Sequence, residues 1–145
     1  MDDLFSLAPI EKVKEQSVLE ILNSNSITSK YGLSLSKNQI ERLINKRLNS
    51  LRETGRIEFG QGVLKELIYE FCDSPYIMQE NYEETLEELL DIFYYYKSEA
   101  LEQISDEELI TLMKKYFDGE CQGSLDYLRD TTLEDICRDT RFDRK

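Results

Sequence analysis

The chain has 145 residues, with 18 Lys+Arg against 30 Asp+Glu, a formal net charge of −12, and neither His nor Trp. That length suits one domain, and at 40% hydrophobic it can bury one core, which argues against wholesale disorder. The absence of His removes the imidazole general base, the commonest metal ligand and every Ser-His or Cys-His mechanism. The acidic excess argues against nucleic acid as a partner, because phosphate backbones are held by Lys and Arg.

No apolar run approaches the roughly 20 residues that span a membrane, and the acidic opening Met1 to Phe5 lacks the blocks of a signal peptide. A cytoplasmic protein with no membrane partner is expected. Charge is uneven along the chain. Residues 1–65 carry 10 basic and 8 acidic side chains, a net of +2, whereas residues 66–145 carry 8 and 22, a net of −14. The three cysteines cannot all pair within the chain, and no Cys-x-x-Cys occurs. Cys72 and Cys137 fall on apolar stripes and read as reduced core residues, while Cys121 sits in a Gly-rich loop within reach of solvent.

A first helix is predicted from about Pro9 to Asn23, with Val13, Val18, Ile21 and Leu22 as its stripe. A second starts at Ser36, where Ser36 and Gln39 form an S-x-x-Q capping box, and stops at Gly55. Arg56 to Phe59 alternates, so one short extended segment near 56–59 is allowed. Gly60-Gln61-Gly62 turns the chain into a third helix over Val63–Cys72. It lacks both the lysine spacing and the preceding strand of a phosphate loop. Asn81 opens the fourth and longest helix, running to about Gln103. Its wide apolar arc makes it the central one. A second capping box, Ser105 and Glu108, opens the fifth helix, and a last one begins near Thr132. The expected fold is all-α, a single-domain bundle of five to six helices over 1–145, frayed near 1–8 and 139–145.

Three patterns invite a functional reading. Asp118 to Arg129 follows calcium-loop spacing, placing Asp118, Glu120 and Asp126 at ligand positions and Gly123 at the sharp turn. However, Arg129 stands where a bidentate Glu is required, so no metal is expected and these three stay weak candidates. Glu83, Glu84, Glu87 and Asp91 share the solvent arc of the fourth helix, and Tyr95 stands out as the exposed member of Tyr94-Tyr95-Tyr96. Together these five form the candidate partner surface. The second helix, over 36–55, carries Lys37, Arg42, Lys46, Arg47 and Arg52, a basic face that could either read DNA or counterbalance the acidic helices.

Gly55 to Ile77 (GRIEFGQGVLKELIYEFCDSPYI), Tyr116 to Leu128 (YFDGECQGSLDYL) and the opening Asp-Leu-Phe-Ser-Leu resemble an uncharacterised family of small acidic proteins from anaerobic Gram-positive bacteria. The resemblance implies a bacterial cytosolic origin and one domain end to end. It implies no activity, ligand or catalytic residue. The leading expectation is a non-enzymatic interaction module, using an acidic, tyrosine-bearing helical surface to bind another protein and needing no cofactor. A small-molecule or metal-dependent enzyme with carboxylate and tyrosine chemistry is the first alternative. A DNA-binding regulator acting through helix 36–55 is the second.

Overall fold

Helix-period apolar spacing between sparse breakers yields helices throughout. A computed structural model describes residues 14–130 and 132–143, and every regular element among them is helical. They are α1 (14–22), α2 (Asn25–Thr28), α3 (Lys37–Thr54), α4 (Gly62–Phe71), α5 (Tyr82–Glu99), α6 (Asp106–Asp118), α7 (Leu125–Arg129) and α8 (Thr132–Asp143). Short 3-10 turns at Ser29–Tyr31 and Gln79–Asn81 complete the order. Pro9, Val13 and the expected fraying near 1–8 lie outside the described residues.

The predicted starts are made by the predicted residues. Ser36 Oγ accepts from Gln39 N at 3.2 Å and Gln39 Oε1 accepts from Ser36 N at 2.9 Å, a reciprocal box that satisfies two orphan donors. Gly55, at φ 68°, closes α3 in the left-handed conformation. Ser105 likewise caps α6 through Glu108 N. Asn81 departs from expectation. Its Oδ1 accepts from Met78 N and so caps the 3-10 turn before α5, rather than α5 itself.

α5 is the hub. It packs against α3, α4, α6, α7 and α8, and Leu86, Leu89, Leu90 and Phe93 are wholly buried along it. Tyr96 OH donates to Leu128 O at 2.5 Å and Arg129 O at 2.9 Å, which ties α7 to the hub. The helix ends at Glu99, short of the expected Gln103. Leu101 and Glu102 follow with φ of 51° and 60°, and Glu102 N donates to Lys97 O at 2.9 Å. Left-handed backbone costs a residue with a Cβ roughly 1–2 kcal/mol. The gain that offsets it is electrostatic, because the turn swings the Glu102 carboxylate back onto Arg56 and Lys97.

Cys121 is buried, contrary to the reading of its loop as open. Its N–H donates to Tyr116 O at 2.8 Å and Gly123 N–H to Phe117 O at 2.8 Å, so the chain curls tightly over the end of α6 and draws the thiol inward.

Candidate functional site

Residues 56–59 form no strand, yet they keep the alternation of their sequence. The inward members are the charged ones. Glu58 has a side chain only 5% exposed, and its Oε1 accepts from Arg47 Nε at 2.9 Å while its Oε2 pairs with Arg56. Tyr94 OH donates to the same Oε2 at 2.9 Å. Val63 N–H, in the first turn of α4, approaches Oε1 at 3.3 Å. Close approach requires glycine here, since a Cβ on Gly62 would lie 2.5 Å from Glu58 Oε1 and 2.7 Å from Arg47 Nη2.

The network continues across the bundle. Arg56 pairs with Asp106 at the start of α6 and with Glu102 at 3.2 Å, and its guanidinium lies 5.4 Å from the Phe93 ring centroid. Lys97 Nζ sits 3.0 Å from Asp106 Oδ1 and 3.4 Å from Glu102 Oε1, and also donates to Ile104 O. The result is a cluster of Arg47, Arg56 and Lys97 against Glu58, Glu102 and Asp106. Balanced charge and full hydrogen bonding are what make such burial tolerable. Burial alone would raise the Asp106 carboxyl, but hydrogen bonds from Arg56 and Lys97 outweigh it and hold the group below the usual range. Burial and the neighbouring Glu58 push the Tyr94 phenol up. Every charge here is spent on another, so the cluster is suited to clamping a loop rather than moving protons.

The clamp has an outer side. Ile57 is 80% and Phe59 89% exposed, turned to solvent by the same alternation that turns Arg56 and Glu58 in. Leu101, beside Glu102, is exposed as well. Apolar side chains this open are ordinary when scattered, but each of these adjoins in sequence a residue of the ion cluster.

The sequence-derived candidates have different fates. Glu83 takes both Arg42 Nε at 2.6 Å and Nη2 at 3.0 Å, and Asp91 takes Lys46 at 3.1 Å. The cations of α3 thus serve as counterweights to α5, and Arg47 is buried. Glu84 and Glu87 remain exposed. Tyr95 is exposed too, but its OH donates to Glu134 Oε1 at 2.6 Å, which pushes the phenol up to about 12. Asp118 is engaged by Ser74 Oγ at 2.6 Å and Lys114 at 2.8 Å, whereas Glu120 is exposed and Asp126 is fully exposed on α7. The chain does not bring those three together, and among the described residues no three His, Cys, Asp or Glu gather as a metal site.

A sequence model described as a family of unknown function, DUF6323, matches residues 20–145. The chain belongs to that family. Searches of curated proteins and of solved structures give no match. The DUF6323 span starts within α1 and contains the whole ion cluster and the loop it holds. No helix among the described residues is long and apolar enough to cross a membrane.

Sequence reasoning alone passed over the cluster, although two signals for it exist. Arg47 stands seven residues after Ile40 and four after Leu43, and Lys97 four after Phe93, so both lie on apolar stripes. A cation on a buried stripe demands a partner.

Two tests follow for this DUF6323 member. Burial raises all three thiols, with Cys121 and Cys137 pushed up to about 11, so Ellman's reagent at pH 8 should titrate essentially none before denaturation and all three after it. A rapidly reacting native thiol would contradict the burial. Glu66 behaves oppositely to Asp106. Burial, then Asp106, Glu107 and Glu58, raise its carboxyl above the ordinary 4.5. Folding therefore disfavours its charged form, and the penalty is complete at neutral pH and absent below the ordinary value. Glu66→Gln should raise the melting temperature at pH 7, with the gain disappearing below pH 4.5. A gain that persisted in acid would point to packing instead.

Proposed function

We propose that this chain is a non-enzymatic, cytosolic protein-interaction module, and that its docking edge is the 56–60 loop. The observation that carries the reading is the exposure of Ile57 and Phe59, 80% and 89%, on backbone held by the buried Arg47–Glu58–Arg56 pairs. An apolar contact on a rigid mount loses little conformational freedom on binding, and this is the property that makes an interface anchor effective. The exposed Glu84, Glu87 and Tyr95 of α5 supply the acidic, tyrosine-bearing part of the same character. Against DNA reading, Arg42 and Lys46 are already paired with α5 and Arg47 is buried, which leaves Lys37 and Arg52, at opposite ends of α3, as its cations without an ion pair among the described residues.

Site-directed photocross-linking tests this. Benzoylphenylalanine replaces Phe59 in one version and the exposed Tyr31 in another, and both are irradiated in the cells that make the protein. A discrete adduct from position 59, missing from position 31, is expected. Equal adducts from both positions, or none from position 59, would overturn the reading.

A further inference from the structure

Beside the docking loop, α4 and α6 enclose a groove of about 440 Å³ lined by Glu66, Tyr69, Glu70, Glu107, Ile110 and Thr111. The two lie side by side, because Arg56 of the loop holds Asp106, the residue before the groove's Glu107, and the loop runs straight into α4, which carries Glu66. Glu66, Glu70 and Glu107, which line the groove, form no ion pair among the described residues. Three uncompensated carboxylates thus face a groove whose wall also offers the half-buried Tyr69 ring.

Resting on the docking reading above, we infer that the partner is a basic protein segment with apolar side chains, seated on Ile57 and Phe59 and laid into the α4–α6 groove. Charge complementarity selects this occupant. A second copy would bring its own −12 to the contact, and an anionic membrane surface would be repelled for the same reason. A purely apolar segment would cover the loop but leave the carboxylates of the groove mutually repelling and partly desolvated. A segment with spaced Lys or Arg neutralises them, and the long stems of those residues can lie along the Tyr69 ring. The larger groove, about 500 Å³ between α1 and α3, sets Lys14 and Lys37 against Glu15 and Glu41, a balanced rim that singles out no partner charge.

Fluorescence anisotropy on the full chain decides the matter. The probes are three labelled amphipathic peptides of one length and leucine pattern, whose polar positions are all Lys, all Gln or all Glu. The Lys peptide should bind, and raising sodium chloride from 50 to 300 mM should weaken it severalfold. Ile57→Ser with Phe59→Ser, and separately the triple Glu66→Gln, Glu70→Gln, Glu107→Gln, should each weaken it at least tenfold. Glu41→Gln with Glu53→Gln, a charge change on the exposed face of α3, should alter it less than twofold. All these positions are exposed, so circular dichroism melts should show each variant folded. Three results would overturn the inference: no binding of the Lys peptide, equal binding of the Gln peptide, or equal weakening by the α3 pair. Equal binding of the Gln peptide with loss on the loop variant would overturn the basic partner alone and leave the docking loop standing. Failure of the cross-link at position 59 would remove the loop itself.

Discussion

Glu58→Ala is expected to cost about 3–5 kcal/mol of folding stability, the range seen when one member of a buried pair is deleted. The replacement leaves the Arg47 guanidinium, whose side chain is 6% exposed, without the carboxylate that justifies its burial. It also strips the acceptor from Tyr94 OH and the nearby oxygen from Val63 N. Arg56 suffers less, since Asp106 and Glu102 still hold it. At this chain length the loss should lower the melting temperature by roughly 10–15 °C. Glu58→Gln keeps the shape but not the charge, and should recover only a minor part. The double change Arg47→Met with Glu58→Met should be milder than Glu58→Ala, because it removes both charges together. Urea melts of the three variants provide the measurement. A cost under about 1 kcal/mol for Glu58→Ala, the level of an exposed pair, would show that the loop is not held by this cluster.

Gly123→Ala should be comparably damaging for an unrelated reason. Gly123 has φ 82°, and a Cβ there would sit 2.5 Å from both Cβ and Cγ of Tyr76. Left-handed backbone and overpacking together give about 2–5 kcal/mol. Tyr76 cannot retreat freely, as its ring stands edge-on to Phe117 at 6.2 Å between centroids. Gly32 supplies the control. Its φ of 78° is nearly the same, but a Cβ there would meet nothing within 4 Å. Gly32→Ala should therefore cost only the backbone part, about 1–2 kcal/mol. Equal losses for the two would assign the whole effect to backbone conformation and none to the contact with Tyr76.

Both variants probe features that the sequence carries unequally. The glycine at the turn after α6 was legible, since Gly119 and Gly123 bracket a break in the helical period. That Tyr76 would press against it, from 47 residues earlier in the chain, was not. The cluster around Glu58 is similar. Its members come from α3, the 56–59 loop, α5, the turn after α5 and the start of α6, and the Arg56–Asp106 contact spans 50 residues. No local pattern encodes such a meeting, although the cations on the stripes of α3 and α5 hinted that one was needed.

The sequence by itself determined the long helices and the starts of α3 and α6. The apolar period, the Ser36 and Ser105 caps and the Gly55 stop all act within a turn or two of where they are written, so local propensity and tertiary packing agree there. The sequence also limited the chemistry, through the missing histidines and the acidic excess. Only the tertiary structure decided which way the 56–59 alternation faces. Hydrophobicity alone would bury Ile57 and Phe59. Arg47 from α3 and Asp106 from α6 converge on that point instead, and uncompensated charge in a low-dielectric interior costs more than two exposed apolar side chains. Arg56 and Glu58 go inward to satisfy those charges, and the apolar pair is left facing water.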